Sequence, residues 1–111
     1  MLAKKHRLAK TKDVKRSLAQ GRGFFSPFFT LKFFKTQTQP RFTVVVSVKV
    51  SKKAVKRNRL KRIVREFLRL RLQRFVLGDY VIIIKPKAAT QEEKNLLRVL
   101  EELLVVNKLL T

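Results

Sequence analysis

The amino-acid sequence predicts an α/β fold, in the form of an α+β sandwich whose helices pack on one small sheet. Segments with helical apolar spacing alternate with β-branched and aromatic runs in the order α-β-β-α-β-α. Hydrophobic residues make up 45% of the 111 residues, which suits one core. Because no linker or internal repeat interrupts the chain, residues 11–111 are predicted to form a single domain after a basic, mobile segment at residues 1–10.

The first predicted helix spans residues 11–20, with Val14 and Leu18 at helical spacing and Gly21 as its stop. A phenylalanine-rich strand follows at residues 24–34, and Pro27 within it is compatible with an edge strand. Alternation along this strand separates two faces. The predicted core face carries Phe29, Leu31 and Phe33, and the opposite face carries Phe28, Thr30, Lys32 and Phe34.

A second strand is predicted at residues 41–50, which are rich in β-branched side chains, and a polar turn joins it to the first as an antiparallel hairpin. Ser51 is predicted to cap the next helix, which runs to about residue 75. Gly78 and Asp79 then lead into an apolar strand at residues 80–84 that is covered on both faces, and Pro86 ends it.

The last predicted helix opens with Thr90-Gln91-Glu92-Glu93, which has the pattern of a capping box. An apolar stripe follows at helical spacing and is predicted to lie on the sheet. It comprises Leu96, Leu97, Leu100, Leu103 and Leu104.

The net charge of the chain is extreme. Its 28 Lys and Arg against 7 Asp and Glu give +21, whereas a net charge of about 2 to 8 suffices to keep a small domain soluble. Self-repulsion of this size destabilises a compact state unless a partner neutralises it. The charge therefore predicts a polyanionic partner, and nucleic acid is the expected one.

The cations concentrate in the helix after Ser51, in the run Lys52-Lys53-Ala54-Val55-Lys56-Arg57-Asn58-Arg59-Leu60-Lys61-Arg62. On a helical wheel one arc carries Asn58, Lys61, Arg62, Arg65 and Arg69, and the opposite arc carries Leu60, Ile63, Val64 and Phe67. A solvated helix face usually mixes charge signs to gain i,i+4 pairs, but here like charges are neighbours. This pattern favours a phosphate-binding face over a merely solvated one.

Two features of the sequence leave alternatives open. Asn58 can hydrogen-bond a base edge, a 2′-OH or a phosphate, or it can help to cap a local turn. The phenylalanines either pack in the core, as predicted for Phe29 and Phe33, or present a base-stacking surface, which Phe28 and Phe34 are placed to do.

The sequence lacks the residues that metal sites, disulfides and common catalytic sites require. The chain has no Cys and a single His, His6, so thiolate sites, histidine metal clusters and disulfides are excluded, and no metal site is predicted. The seven carboxylates suggest no catalytic pair, and no phosphate loop or nucleophile elbow occurs. No apolar run has the length of a membrane span, and no signal peptide precedes the domain, so a cytoplasmic protein is expected.

The basic run, followed by Val64-Arg65-Glu66, resembles the RNR signature of the bacterial ribonuclease P protein subunit. The similarity covers most of the chain. It includes Arg7-Leu8, Gly21, Ser26-Pro27, Val46-Ser47 and Asp79-Tyr80-Val81-Ile82-Ile83.

The resemblance implies a mainly antiparallel, four-stranded type of sheet with a left-handed βαβ crossover, against the usual right-handed rule. It also implies a subunit without catalytic residues that binds the catalytic RNA of ribonuclease P. That enzyme requires Mg²⁺ and removes the 5′ leader of precursor tRNA, and the RNA carries out the hydrolysis. The subunit is expected to broaden the substrate range and to lower the Mg²⁺ requirement. By resemblance, RNA contact is assigned to Arg57, Asn58, Arg59, Lys61, Arg62 and Arg65, with Lys52, Lys53 and Lys56 in support, and the helical wheel adds Arg69.

The family's cleft for the single-stranded leader lies between the first helix and the sheet, and here its usual aromatic positions hold Val14, Leu18 and Lys32. Phe28 and Phe34 are predicted to replace part of that aromatic surface. Two other classes of protein remain as rivals: a structural protein that binds ribosomal RNA, and a DNA-compacting protein that binds duplex DNA without dependence on Asn58.

Overall fold

The computed structural model describes residues 2–111 and forms a three-layer arrangement of helices around one four-stranded sheet. The principal elements are α1 (Thr11–Gln20), β1 (Arg22–Phe25), β2 (Phe29–Lys35), β3 (Arg41–Val46), α2 (Ala54–Arg69), β4 (Gly78–Ile84) and α3 (Glu93–Val106). Short 3₁₀ helices occur at Lys4–His6, Leu72–Arg74 and Pro86–Thr90. The α/β class and the order of elements agree with the sequence-based prediction, with one short strand added.

The added strand arises because the predicted strand at residues 24–34 is divided in two. The backbone N–H of Ser26 donates to the carbonyl oxygen of Phe29 (2.9 Å), and the N–H of Phe29 donates to Ser26 Oγ (3.0 Å). Pro27 lies between them and has no N–H to contribute to a ladder. The chain therefore reverses at Pro27, and β1 pairs with β2 as an antiparallel hairpin.

The order of the strands in the sheet is β1-β2-β4-β3. The hairpin predicted between residues 24–34 and residues 41–50, which correspond to β2 and β3 here, is therefore wrong. β4 lies between them, antiparallel to β2 and parallel to β3. β4 is the most apolar strand and is buried on both faces except at Ile83, and the centre of the sheet is where such a strand buries most surface. The sheet is mainly antiparallel, and α2 forms the crossover between the parallel strands β3 and β4.

One hydrophobic core fills the space between one face of the sheet and helices α2 and α3. Phe29, Leu31 and Phe33 point into it, as predicted from alternation. The helices contribute Leu60, Val64, Phe67, Leu68, Leu96, Leu100, Leu103 and Leu104. Leu97 of the predicted stripe is only partly buried against the core.

The opposite face of the sheet is covered by α1 at one end only. Phe34 and Asp79 alternate with the core residues Phe33 and Tyr80, and the side chain of Arg16 from α1 contacts both Phe34 and Asp79. Helix α1 has the predicted bounds. Gly21 follows the last helical residue. Only glycine fits there, because a Cβ at this position would lie 2.3 Å from the carbonyl oxygen of Ser17.

The predicted bounds and caps of α2 differ from the structure. Lys53 is the N-cap, and Ser51 Oγ instead accepts the N–H of Lys53 (3.2 Å) in a local turn. α2 ends at Arg69, not near residue 75, and Arg71 Nη1 donates to the terminal-turn carbonyl of Phe67 (3.1 Å). The chain must turn there because Phe75 packs into the core against Phe42, with ring centroids 4.9 Å apart.

The predicted capping box at Thr90 is also wrong. Thr90 belongs to the 3₁₀ helix that starts at Pro86 and buries Ala88, and α3 begins three residues later. Glu92 is the N-cap of α3 and forms no capping hydrogen bond with its side chain. Gln91 Oε1 accepts a hydrogen bond from Asn95 Nδ2 (2.7 Å).

The segment at residues 1–10 was expected to be mobile and separate from the domain. Met1 lies outside the described residues, whereas Leu2 and Leu8 are buried. The N–H of Leu8 donates to the carbonyl oxygen of Phe42 (2.8 Å), and His6 Nδ1 lies 2.8 Å from the carbonyl oxygen of Pro40. This placement differs from the expectation, because burial of two leucines and edge pairing with β3 attach residues 2–10 to the sheet.

Candidate nucleic-acid interface

The solvent-facing side of α2 carries cations without protein partners. Leu60, Val64 and Phe67 are buried on the other side, which confirms the predicted division of the helix. Among residues 2–111, no hydrogen bond or ion pair forms at six of the predicted contact side chains. These are Lys56, Asn58, Arg59, Lys61, Arg62 and Arg65, of which Lys61 is half-buried and the others are exposed. Asn58, Lys61, Arg62 and Arg65 share the arc opposite the buried side chains, and we call them the α2 cationic face. Lys56 and Arg59 lie nearer α3, where they line a small cavity with Leu60 and Ile63.

Two other residues predicted to contact RNA, Arg57 and Arg69, already form hydrogen bonds within the protein. Arg57 is half-buried and its Nη1 donates to the carbonyl oxygen of Ser51 (2.8 Å), which fixes the loop before the helix. Arg69 Nε donates to Glu66 Oε1 (3.0 Å). This pairing with Arg69 lowers the pKa of Glu66 to about 2. Arg57 thus serves the local fold, and the charge of Arg69 is partly neutralised.

The amino-terminal end of α2 is also cationic, which opposes the helix dipole. Lys52 and Lys53 are exposed just before the helix, Lys56 is exposed in its first turn, and no acid occurs in that turn. The helix N-terminus carries a partial positive charge and ordinarily favours acidic neighbours. A phosphate group can pair with the lysine ammonium groups and accept hydrogen bonds from the free N–H groups of such a helix end.

A buried ion-pair network holds α1 against the sheet. The side chain of Asp79 is fully buried and accepts hydrogen bonds from Arg41 Nε and Nη2 (both 2.8 Å) and from Arg16 Nη2 (3.2 Å). Asp13 on α1 completes the network, with Oδ2 3.4 Å from Arg41 Nη1. Hydrogen bonding to Asp79 raises the pKa of Arg41. Two arginines thus balance two carboxylates, and none of this charge is left for an anionic partner.

A groove of about 620 Å³ lies beside the edge strand β3, between α1 and α2. Val14 and Lys15 line it from α1, Thr43 from β3 and Arg65 from α2. Arg7 and Leu8 line it from the amino-terminal segment. Since Arg65 also belongs to the α2 cationic face, the groove and that face form one continuous surface.

The five residues predicted for a cleft lie on α1, on β2 and in the turn between β1 and β2. Val14 lines the groove, and Leu18 is exposed further along α1. Lys32 lies on β2, opposite the buried Val81, and is itself half-buried. The Phe34 ring is covered by the guanidinium of Arg16, whose Cζ lies 4.5 Å from the ring centroid, and Phe28 lies in the β1–β2 turn and packs against the core.

Sequence reasoning missed two groups of residues at this surface. One is the pairing of Arg41 with Asp79, whose only sequence signal was a carboxylate at the start of an apolar strand. The other is Phe25, which is 67% exposed on β1. The division of the predicted strand at Pro27 reverses the chain and brings Phe25 opposite Thr30.

Within residues 2–111, no group of three or more His, Asp or Glu side chains comes together in a way that could hold a metal ion. Across the same residues, none of the helices has the length and apolar character needed to span a membrane.

Comparisons with known proteins all point to one family. A family model described as Ribonuclease P matches residues 2–107. The Ribonuclease P protein component of Cyanothece sp. is 33% identical, and the match covers 94% of this chain and 93% of the relative. Among solved structures, the Staphylococcus aureus RNase P protein has a TM-score of 0.88 at 23% identity, covering 96% of this chain and 98% of that one. The Thermotoga maritima RNase P protein has a TM-score of 0.79 at 29% identity, covering 88% and 94%.

Proposed function

The chain belongs to the ribonuclease P protein family, and on that premise we propose that it binds the catalytic RNA of ribonuclease P through the α2 cationic face. The observation that supports this proposal is the set of neighbouring cations on α2 that have no protein partner. Like charges at adjacent positions on a helix repel one another unless a polyanion lies against them. Phosphates of a folded RNA supply that polyanion.

The substrate of the assembled enzyme is precursor tRNA, and the groove beside β3 receives its single-stranded 5′ leader. Two features support this part of the proposal. The groove is continuous with the α2 cationic face through Arg65, and Arg7 and Lys15 add positive charge along it. A protein that holds the leader binds precursor tRNA more tightly than mature tRNA, because mature tRNA has no leader.

Catalysis belongs to the RNA in this proposal, and Mg²⁺ acts with the RNA. The seven carboxylates of the chain include Asp13, Glu66 and Asp79, which are all engaged with arginines. The protein's part is to neutralise crowded phosphates where two RNAs meet. Fewer Mg²⁺ ions are then needed for the same screening, so the protein lowers the Mg²⁺ requirement and widens the range of substrates that bind.

The test is cleavage of a precursor tRNA with a 5′ leader by a bacterial ribonuclease P RNA at low Mg²⁺, with and without this protein. We expect cleavage only when both components are present. A reaction with the protein alone serves as the control, and cleavage there contradicts the assignment of catalysis to RNA. Tight binding to the RNA without any gain in cleavage favours a structural RNA-binding protein instead.

A second measurement compares precursor and mature tRNA as ligands of the assembled enzyme. The proposal requires tighter binding of the precursor. Equal affinities contradict a leader-binding groove, while leaving RNA binding by α2 intact. Affinity for the catalytic RNA should also fall steeply with salt, by about 10³ to 10⁵ between 50 and 200 mM if 6 to 10 phosphates are contacted.

A further inference from the structure

A small cavity lies between α2, the 3₁₀ helix Pro86–Thr90 and the start of α3. Its volume is about 140 Å³, close to that of an engineered protein cavity that holds one benzene molecule. The buried side chains of Leu60 and Leu96 form an apolar wall, together with Ile63. No residue that lines this cavity also lines the groove beside β3. The cavity is therefore a separate feature, and a single planar ring fits against its wall.

Side chains of opposite charge line the cavity without pairing. Lys56 and Arg59 line it from α2, and Glu93 lines it from the first turn of α3. All three are exposed, and within residues 2–111 none of them forms a hydrogen bond or an ion pair. Further along α3, by contrast, Arg98 pairs with Glu102 at 3.0 Å. The cavity thus keeps Glu93 out of ion-pair distance of either cation.

We propose that this cavity binds a cytosine nucleotide. The pyrimidine ring lies against the apolar wall, and Lys56 and Arg59 bind the phosphate. Glu93 accepts a hydrogen bond from the exocyclic amine of the base, which is the contact that a carboxylate makes with cytosine. One ligand then satisfies both the cations and the carboxylate. This inference does not rest on the proposed function, because it concerns a ligand of the free protein.

The size of the cavity and the charge of Glu93 together select the base. A purine has two fused rings and is larger than the cavity. Uracil has the size of cytosine but carries a carbonyl oxygen in place of the exocyclic amine. That oxygen and the Glu93 carboxylate are both acceptors, so neither gains a hydrogen bond from the other.

The same ligand chemistry has two sources, a free nucleotide and an unpaired cytosine of a bound RNA. The charges beside the cavity favour the free nucleotide. Glu92 and Glu93 are adjacent and exposed at the start of α3, so they repel the successive phosphates of an RNA strand. A mononucleotide has one phosphate only, and that phosphate lies on the α2 side of the cavity.

The experiment measures binding of cytidine monophosphate and uridine monophosphate to the purified protein by equilibrium dialysis. The two ligands have the same charge and nearly the same size, so general attraction to a chain of charge +21 is equal for both. We expect cytidine monophosphate to bind more tightly by about 5-fold to 150-fold, the range found for recognition of one base edge. Adenosine monophosphate should bind less tightly than cytidine monophosphate because its base is too large.

Glu93→Gln tests the hydrogen bond to the base. The amide can donate to the uracil oxygen as well as accept from the cytosine amine, so the preference for cytidine monophosphate should disappear. Glu102→Gln is the matched control, since it removes a carboxylate from α3 outside the cavity and should leave the preference unchanged. Thermal unfolding checks both variants, which should unfold near the wild-type temperature because both side chains are exposed.

Ala89→Leu tests the cavity itself. Ala89 lines the cavity from an exposed position in the 3₁₀ helix, so a leucine there should occupy the space of the ring without disturbing the core. Both pyrimidine nucleotides should then bind more weakly. Unchanged affinity for cytidine monophosphate in this variant would mean that the ligand lies elsewhere on the protein, and the proposal would be wrong.

The source of the nucleotide is identified by repeating the dialysis with the protein assembled on the catalytic RNA. If the ligand is a free nucleotide, cytidine monophosphate should bind the assembly as tightly as it binds the free protein. If the ligand is a cytosine of the RNA, the assembly should no longer bind cytidine monophosphate, and Glu93→Gln should weaken RNA binding. Both results support a cytosine site.

Three outcomes overturn the proposal. They are equal affinities of the wild-type protein for the two pyrimidine nucleotides, a preference for cytidine monophosphate that persists in Glu93→Gln, and binding of inorganic phosphate as tight as that of cytidine monophosphate. The last result would mean that the apolar wall contributes nothing. None of these outcomes bears on cleavage of precursor tRNA, so the proposed function stands or fails by its own tests.

Discussion

The carboxylate of Asp79 accepts hydrogen bonds from both Nε and Nη2 of Arg41, each at 2.8 Å, and its side chain is fully shielded from solvent. Such bidentate pairs are among the strongest charge-assisted hydrogen bonds. The two residues lie opposite each other on the parallel strands β3 and β4. Arg16 adds a third bond to Asp79 from α1, so this pair joins the edge strand, the central strand and the first helix.

Asp79→Ala should lower the free energy of unfolding by about 3 kcal/mol, because removing one partner of a buried ion pair leaves the other uncompensated. Urea unfolding of the purified protein measures the change. Glu102→Ala is the matched control, since Glu102 forms an exposed pair with Arg98, and its loss should change stability by less than about 1 kcal/mol. Equal effects of the two substitutions would contradict a structural role for Asp79.

Tyr80 should make the fold sensitive to alkaline pH. Burial raises the pKa of the Tyr80 hydroxyl, which donates to the carbonyl oxygen of Val76 (2.6 Å). The unfolded chain ionises its tyrosine near pH 10 and the folded chain at a higher pH, so the contribution of Tyr80 is intact below about pH 10. Above that pH the unfolded state alone loses the proton, and stability should fall by about 1.4 kcal/mol per pH unit.

The control for this pH effect is Tyr80→Phe, which cannot ionise. The variant should lose about 1 kcal/mol at neutral pH with the hydrogen bond to Val76. Its stability should then decline less steeply than that of the wild type above pH 10. Comparing the two slopes removes the contribution of the lysines, which titrate in both proteins. Parallel slopes would show that Tyr80 is not the group responsible.

The double substitution of Arg62 and Arg65 by Ala should weaken binding to the catalytic RNA and reduce its salt dependence. Each arginine that meets a phosphate contributes about one unit to the slope of log K against log salt concentration, so the double variant should lose about two units. Arg98→Ala removes one positive charge from the exposed surface of α3 and serves as the control. A salt slope equal to that of the wild type would mean that neither arginine contacts phosphate.

Arg57 and Arg59 are close in the sequence but should behave differently. Arg57 donates to the carbonyl oxygen of Ser51, so Arg57→Ala should lower stability by about 1.5 to 3 kcal/mol, as for other hydrogen bonds of charged groups. Arg59 is exposed and has no such bond, so Arg59→Ala should leave stability unchanged and weaken RNA affinity. Urea unfolding and RNA binding, measured on both variants, separate the two roles. Equal stability losses would contradict this distinction.

Local patterns in the sequence were sufficient to predict most elements and their buried faces. The alternation of Phe29, Leu31 and Phe33 and the helical spacing of Leu60, Val64 and Phe67 both depend on residues a few positions apart, and the structure confirms both. Helix caps were predicted less well. Ser51 and Thr90 have the right chemistry for caps, but neighbouring turns engage them instead.

The order of strands was not accessible to the same reasoning. The sequence favoured pairing between neighbouring strands, whereas β4 is inserted between β2 and β3 because the centre of the sheet buries the most apolar strand on both faces. The placement of residues 2–10 on the edge of β3 depends likewise on contacts with residues far along the chain, such as that of Leu8 with Phe42.

The sequence by itself determined the α/β class, the cationic face of α2 and the buried faces of β2 and α2, since each follows from composition or from spacing along a single element. Only the tertiary structure decided which side chains have partners. It engages Arg57 and Arg69 within the protein, joins Arg41 to Asp79 across 38 positions, and leaves Phe25 exposed beside Lys32. The physical reason is that hydrogen bonds and burial depend on distances between remote residues, and these distances exist only after the strands have paired.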